Sequence, residues 1–180
     1  MSSPVVLVLA SGRGERFQAS GGAGSKLDAL LAGKRVIDWT LDAVKASGLR
    51  WHLERSNHPG LGDSIAAAVR ATPDATGWLV LPADLPLITP DTLRAVAESL
   101  EHHDVVVPHY RGQRGHPVGF DRCCESALRE LHGPNGASSV VRAEAAVDGV
   151  FDLELDDVGI VTDIDTVSDL KAAEHAIAAR

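Results

Sequence analysis

Short apolar runs recur along the chain and define the expected strands. Residues 4–9, 78–84 and 105–108 are almost wholly apolar, which is typical of strands buried on both faces of a parallel sheet. Weaker strand patterns are present over 51–54, 117–120, 151–155 and 160–163. The strongest pattern is therefore that of a sheet covered on both sides.

Segments with helical periodicity separate these strands. Thr89 followed by Pro90 is a favourable start for a helix, with Thr89 as N-cap and Pro90 as first helical residue. Asp63 or Ser64 is expected to cap an earlier helix. The predicted helices cover 36–44, 65–69, 90–100, 123–131, 137–142 and 166–178. Because strands alternate with helices, we expect one α/β domain over residues 1–180. Its mainly parallel sheet would lie between two helical layers, with ligands at the carboxyl edge of the strands.

Composition and charge narrow the class of ligand. A chain of 180 residues fits a single domain, and its formal net charge of −8 disfavours a nucleic-acid-binding surface. The first fifty residues are nevertheless net basic, whereas residues 144–174 are strongly acidic. A basic region in an acidic protein favours a small anionic ligand over a polymer.

Location is constrained by what the sequence lacks. The apolar runs are too short to cross a bilayer, and no basic segment precedes an apolar one at the N-terminus. Cys123 and Cys124 are adjacent, a poor geometry for a structural disulfide, and no spaced Cys and His ligands suggest zinc. We expect a cytoplasmic protein with no membrane or nucleic-acid partner.

The segment after the first strand combines small residues with cations. Glycines let backbone N–H groups approach an oxygen cluster, and arginine and lysine neutralise its charge. The pattern is neither a Walker loop nor a dinucleotide fingerprint. A flexible surface loop is the alternative, but it leaves the two arginines without a task. We therefore predict a nucleoside triphosphate site formed by Leu9, Ala10, Ser11, Gly12, Arg13, Gly14, Arg16 and Lys26.

Two acidic positions are candidates for a metal site. Asp84 ends the second buried strand at the same predicted edge, where a carboxylate beside a triphosphate is a natural magnesium ligand. Asp163 and Asp165 precede the last helix, and the competing interpretation of either is an N-cap. For Asp84 the competing interpretation is a turn cap. Mg²⁺ takes one or two carboxylates plus phosphate oxygens, so Asp84 and Asp165 would suffice.

The predicted triphosphate loop and the predicted metal site together indicate nucleotidyl transfer. The reaction needs an oxygen nucleophile in line with the α-phosphorus and a pyrophosphate leaving group, and the protein contributes mainly positioning and charge. A phosphate nucleophile is already ionised at neutral pH. The lack of an evident catalytic His or Cys pair is consistent with this chemistry.

The motifs also resemble a known family. Residues 9–17 with Lys26 resemble the signature of the molybdenum cofactor nucleotidyltransferases, which are MobA-like NTP transferases with a Rossmann-like sheet. Four further stretches match in order, at 57–65, 82–86, 114–118 and 163–170. The similarity is greatest to the cytidylyltransferases. Ser11 stands closer to their alanine than to the glycine of the guanylyl enzymes, and the turn at 57–64 also matches them.

The resemblance implies a ligand set and residue roles. It implies CTP or another NTP, Mg²⁺, a molybdopterin-type phosphorylated acceptor, and an apo-molybdoenzyme that receives the cofactor. Catalysis would fall to Arg16, Lys26 and Asp84, and Asp84 and Asp165 would bind magnesium. By the same resemblance, the nucleotide site adds Asn57, Gly62 and Ser64, and the acceptor site comprises Arg114, Gly115, His116 and Pro117.

Several departures from the family pattern are visible. Gln18 replaces a usual glycine, and residues 21–25 lengthen the spacing to Lys26, which suggests a lid over 18–25. Only residues 48–56 lie between the first long helix and the turn at Asn57, so the fold is expected to be shortened by one βα unit. A Gly-Asp pair is absent from 132–137.

Other interpretations remain open at this point. The chain could use another base or phosphorylated acceptor, or be a non-catalytic molybdenum-cofactor insertion chaperone. His116 either donates to a phosphate or caps a hairpin. The pair Asp156 and Asp157 forms an exposed loop or a docking face for the apo-enzyme. Trp39, Trp51 and Trp78 are expected in the core.

Overall fold

The computed structural model describes residues 3–179 and arranges them around a seven-stranded sheet with a separate two-stranded ribbon. The strands are β1 (Val5–Leu9), β2 (Leu30–Leu31), β3 (Lys34–Arg35), β4 (Arg50–Glu54), β5 (Gly77–Pro82), β6 (Val105–Tyr110), β7 (Gln113–Arg114), β8 (Val118–Asp121) and β9 (Val150–Glu154). The helices are α1 (Glu15–Ala19), α2 (Val36–Ser47), α3 (Leu61–Arg70), α4 (Pro90–Ser99), α5 (Glu125–Arg129), α6 (Ser138–Ala145) and α7 (Val167–Ala178). Short 3₁₀ helices cover Arg122–Cys124 and Val158–Val161.

The sheet is mainly parallel, as the sequence predicts. Its order is β4-β1-β5-β8-β6, with β7 and β9 both paired to β6. Strands β4, β1 and β5 are parallel, β9 is parallel to β6, and β8 is antiparallel to both β5 and β6. From β1 the chain first adds β4 on one side and then β5 on the other. The change of direction places a crevice at the carboxyl ends of β1 and β5, where ligands bind in such sheets.

Both faces of the central strands are covered. In β1, Val6 and Val8 pack into one apolar core with residues of α2, α4 and α7. Val5, Leu7 and Leu9 point to the opposite face and pack with residues of α3, α5 and α6. Successive side chains of a strand alternate between faces, so two helical layers explain the continuous apolar run. The α/β/α fold of the prediction is confirmed.

Several local predictions are wrong, each for a tertiary reason. The helix expected to start at Asp63 or Ser64 begins at Leu61 with Gly60 as N-cap, because Asp63 instead accepts from Gly133 N at 3.0 Å. Trp51 is 41% exposed because it lies on the edge strand β4. The strand predicted over 160–163 is replaced by the 3₁₀ helix Val158–Val161.

Asp157 is a structural residue rather than part of an exposed acidic loop. It is 8% exposed, and its Oδ2 accepts from Thr89 N at 3.0 Å, Thr89 Oγ1 at 2.9 Å and Thr92 Oγ1 at 2.6 Å. Its Oδ1 accepts from Gly159 N at 2.8 Å. One buried carboxylate therefore joins the start of α4 to the 3₁₀ turn, whereas the neighbouring Asp156 is exposed.

Asp157→Ala is expected to lower the free energy of unfolding by about 2–4 kcal/mol, because it leaves buried donors at the α4 N-terminus without their acceptor. Asp156→Ala is the matched control and should change it by less than about 0.5 kcal/mol. Urea unfolding followed by circular dichroism measures both variants. Equal stability of the two variants would show that the Asp157 contacts contribute nothing.

Candidate active site

Three chain segments meet at the carboxyl edge of the sheet. Leu9 is in register with Pro82 of β5 and with Glu54 of β4. Just beyond the strands, Ala83 N donates to Leu9 O at 3.0 Å, and Ala10 N donates to Glu54 O at 2.9 Å. The register thus places the glycine-rich loop after β1 next to Asp84, as expected from the sequence.

The glycine-rich loop borders an open cavity of about 370 Å³, lined by residues 12–17, Lys26 and Asp165. Gly12 is exposed, and a Cβ added there would meet nothing within 4 Å. Gly14 has φ +65° and is the N-cap of α1, a conformation that favours glycine. The loop therefore leaves space at Gly12 beside three cations, which suits a polyanion.

Four charged side chains converge beside this cavity. Lys26 Nζ lies 2.6 Å from Asp84 Oδ2 and 2.9 Å from Asp165 Oδ1. Arg16 reaches the other oxygen of Asp165 at 2.8 Å, although its own side chain is 78% exposed. Arg13 is exposed and has no ion pair within residues 3–179. The structure thus joins Arg16, Lys26, Asp84 and Asp165 directly.

The ion pairs shift the titration of their members. Burial opposes the charged form of Lys26, but Asp84 and Asp165 outweigh it and raise its pKa. Burial likewise works against ionised Asp165, yet Lys26 and Arg16 hold its pKa below the usual value. Burial, helped by the nearby negative charges of Asp165 and Asp84, raises the pKa of Asp163. Lys26 and Asp165 are therefore both charged at neutral pH.

The acidic side chains fit a divalent cation. Asp84, Asp163 and Asp165 each offer one oxygen within 4.8 Å of the others. Asp84 Oδ1 is buried and has no hydrogen-bond partner among the residues described, an expensive state for a carboxylate oxygen. Mg²⁺ prefers oxygen ligands of this kind, so the donor set and the unpartnered oxygen suit it.

Backbone contacts fix the positions of the acids. Ile164 N donates to Asp84 O at 3.0 Å and ties the two acidic segments together. Thr166 and Asp169 form the capping box of α7, and Asp165 N donates to Asp169 Oδ2 at 3.1 Å. Since Thr166 is the N-cap, neither Asp163 nor Asp165 performs that role. Their carboxylates therefore take no part in capping α7 and lie close to the carboxylate of Asp84.

Helix α3 carries Gly62 and Ser64, two of the residues predicted to lie near the base and ribose. Ser64 Oγ lies 2.6 Å from Ser11 Oγ, so a hydroxyl pair joins the first loop to α3. Gly62 N donates to Gly133 O at 2.8 Å, and a Cβ at Gly62 would lie 2.8 Å from the backbone of His132. Asn57 is exposed and lines neither this cavity nor the apolar one described next.

The predicted acceptor residues border a second, apolar cavity of about 250 Å³. Arg114 and His116 line it together with Leu9 and residues of α3, β5, β8 and α6. Burial lowers the pKa of His116, with Asp84 opposing and Arg114 adding to the effect, and its Nδ1 is buried without a partner among residues 3–179. Gly115 and Pro117 are buried beside it. A neutral imidazole therefore faces an apolar space.

Glu54 is a buried carboxylate beside the site that the sequence interpretation missed. It is 7% exposed, and its Oε1 accepts from Ser56 N at 2.9 Å and lies 3.2 Å from His58 Nε2. Burial opposes its charge, but the Ser56 and histidine contacts lower its pKa. Its backbone also holds Ala10. The available signal was an acidic residue ending a strand directly before the turn at Asn57.

Fold and site together define an α/β protein with an acidic cluster and a glycine-rich loop at the carboxyl edge of its sheet. Residues 40–148 match the MobA-like NTP transferase domain, and the chain belongs to this family of nucleotidyltransferases. The match includes Asp84 and residues 114–117, whereas Lys26 and Asp165 lie outside it. No curated protein matches the chain.

Solved structures share the fold over nearly their whole length. Rv0371c from Mycobacterium tuberculosis is 22% identical with a TM-score of 0.78, covering 97% of this chain and 98% of that one. The same protein is also known as a complex with manganese, at 21% identity and a TM-score of 0.74, with coverage of 97% and 98%. A nucleotidyl transferase from Methanothermobacter is 21% identical with a TM-score of 0.76, covering all of both chains. These chains are therefore about as long as this one.

Two further structures carry more specific names. Molybdopterin-guanine dinucleotide biosynthesis protein A from Archaeoglobus fulgidus is 18% identical with a TM-score of 0.66, covering 98% of this chain and 100% of that one. The 4-diphosphocytidyl-2C-methyl-D-erythritol synthase from Anaerococcus prevotii is 13% identical with a TM-score of 0.69, covering 98% and 99%. At these identities the likeness concerns the fold alone. In the described part of the chain, no helix has the length and apolar character needed to span a membrane.

Gly62→Ala is expected to lower the free energy of unfolding by about 1–3 kcal/mol, because the new methyl group overlaps the backbone of His132. Gly12→Ala is the matched control, since its methyl group would enter open space, and should change stability by less than about 0.5 kcal/mol. Thermal unfolding compares the two. A stable Gly62→Ala protein would contradict the close approach of α3 to residues 132–133.

Proposed function

We propose that this chain is a magnesium-dependent cytidylyltransferase that transfers CMP from CTP to molybdenum-bound molybdopterin. An oxygen of the acceptor phosphate forms a bond to the α-phosphorus of CTP, the bond between the α-phosphorus and the bridging oxygen breaks, and pyrophosphate leaves. The observation that carries the proposal is the convergence of Arg16, Lys26, Asp84 and Asp165 beside the open space at Gly12.

The cations would bind the triphosphate. Backbone N–H groups of the loop from Ser11 to Gly14 would face its oxygens, while Arg13, Arg16 and Lys26 neutralise its charge. Arg16 is exposed at the cavity and is therefore free to turn from Asp165 toward a phosphate. Stabilising the charge that develops on the leaving pyrophosphate is the catalytic contribution expected of Arg16 and Lys26.

Asp84 and Asp165 would hold Mg²⁺. Bound there, the cation supplies additional positive charge for the triphosphate and leaving group. The unpartnered Asp84 Oδ1 and the three grouped carboxylates support this role, as does the manganese complex of the M. tuberculosis protein. In the described chain Asp163 is the most exposed of the three acids, so we assign the two ligand roles to Asp84 and Asp165.

The base and the acceptor would be bound by different segments near the proposed triphosphate site. The hydroxyl pair of Ser11 and Ser64 joins the loop to α3, where cytosine and ribose would bind, with Gly62 and Asn57 as the further residues assigned to this part of the nucleotide. Arg114 to Pro117 would receive the acceptor, with Arg114 pairing to its phosphate and neutral His116 hydrogen-bonding to its organic part. The molybdopterin-related name of the A. fulgidus structure supports this acceptor.

A related transferase with another acceptor is the second candidate, and two observations favour it. The cavity beside His116 is small and mostly apolar, whereas a pterin carries many polar groups. The A. prevotii structure shows that the fold is shared with a protein named for a cytidylyl transfer to methylerythritol. In this second case, CTP and the metal site keep the roles given above and only the acceptor changes.

The deciding experiment measures pyrophosphate release by purified protein with Mg²⁺ and molybdenum-loaded molybdopterin, comparing CTP with GTP, ATP and UTP. We expect a preference for CTP. Release only with methylerythritol phosphate or another phosphorylated alcohol would support the second candidate. No release with any acceptor, together with tight binding of the molybdenum cofactor, would instead identify a non-catalytic insertion chaperone that delivers cofactor to an apo-molybdoenzyme.

Asp84→Asn is expected to reduce pyrophosphate release at least about 100-fold, because it removes a charge from the metal site without changing side-chain shape. Asp42→Asn is the control, since Asp42 is exposed and pairs with Lys34 away from the cavity. Circular dichroism should show both proteins folded. Full activity in folded Asp84→Asn would exclude the metal assignment.

A further inference from the structure

The ammonium group of Lys26 is bound by two acidic side chains. It contacts Asp84 Oδ2 and Asp165 Oδ1, and its side chain is only 14% exposed. These are two of the three carboxylates that are grouped closely enough to hold a cation. Lys26 thus has a partner on each of the two residues that would bind the metal.

An ammonium group and a divalent cation need the same oxygens. Lys26 donates hydrogen bonds to one oxygen of each carboxylate, and Arg16 contacts the second oxygen of Asp165. Within the described cluster, Asp84 Oδ1 is the buried carboxylate oxygen left without a partner. A free cation entering the cluster therefore has to displace Lys26 or accept an incomplete set of ligands.

The charge of the cluster leads to the same conclusion. Asp84, Asp163 and Asp165 are faced by one ammonium and one guanidinium group, so three formal negative charges meet two positive ones. A lone divalent ion would make this partly buried site net positive. A divalent ion that arrives with a triphosphate brings negative charge to which Lys26 and Arg16 can transfer.

The position of Lys26 allows such a transfer. Lys26 and Arg16 line the cavity that also contains Gly12 and Gly14, so both cations border the space proposed for the phosphates. Lys26 has a long flexible stem, and its ammonium group can exchange a carboxylate partner for a phosphate by changing side-chain rotamers.

We propose that Lys26 is the resident cation of the acidic cluster in the nucleotide-free protein and moves to the triphosphate when nucleotide binds. The site would then take divalent metal as a metal–triphosphate complex and bind the free ion weakly. The inference rests on the proposed function in identifying the cavity ligand as a triphosphate and Asp84 and Asp165 as the metal ligands.

The test measures binding of Mn²⁺ alone, with no nucleotide or acceptor, by electron paramagnetic resonance of the free ion. Lys26→Met removes the competing charge and should bind Mn²⁺ at least about tenfold more tightly than the wild type. Lys26→Arg keeps a cation and should remain weak. Lys34→Met is the matched control, because Lys34 pairs with exposed Asp42 outside the cluster, and it should match the wild type.

Two results would overturn the proposal. One is tight Mn²⁺ binding by the nucleotide-free wild-type protein, which needs no variant to interpret. The other is equal Mn²⁺ affinity in folded Lys26→Met and wild type. Pyrophosphate release does not enter this measurement, so a protein with a different acceptor or base would still give the expected Mn²⁺ result. Failure of the two proposals can therefore be distinguished.

Discussion

The site depends on holding like charges together at one edge of the sheet. Asp84 and Asp165 come from distant parts of the chain and would repel each other without the cations between them. The repulsion is offset by Lys26 and by backbone contacts, chiefly the bond from Ile164 N to Asp84 O. The pairing of β1 with β5, which puts Leu9 opposite Pro82, brings the glycine-rich loop to the same edge of the sheet. Without the parallel register of β1 and β5, the glycine-rich loop would not lie beside Asp84.

Much of this arrangement is predictable because it follows local rules. Continuous apolar runs require two covering layers, and parallel strands present their carboxyl ends at one edge. The proximity of residues 9–16 to Asp84 follows from these two facts alone. The N-cap at Thr89 and the helix following Thr166 are likewise predictable from the sequence, since capping depends on a few adjacent residues.

What could not be predicted depends on contacts between distant segments. Asp157 and Asp156 are neighbours of identical type, yet one is buried under α4 and the other is exposed. Glu54 lies beside the site because β4 pairs with β1, and its carboxylate is held by the backbone N–H of Ser56. The local sequence pattern carries no information about the distant contacts of Asp157 or Glu54. The start of α3 was also predicted wrongly because it depends on a distant segment. Gly60 and Gly62 lie so close to the backbone at residues 132–133 that a side chain there would overlap it.

The glycines near the site fall into two groups, according to whether neighbouring backbone leaves room for a side chain. At Gly62 and Gly115 a methyl group would overlap neighbouring backbone, so folding alone accounts for their small size. At Gly12 there is nothing within 4 Å to exclude a side chain, and its φ does not lie in the left-handed region. Folding therefore gives no reason for glycine at position 12. Under the proposed function, the reason is a triphosphate that approaches this backbone closely beside Arg13, Arg16 and Lys26.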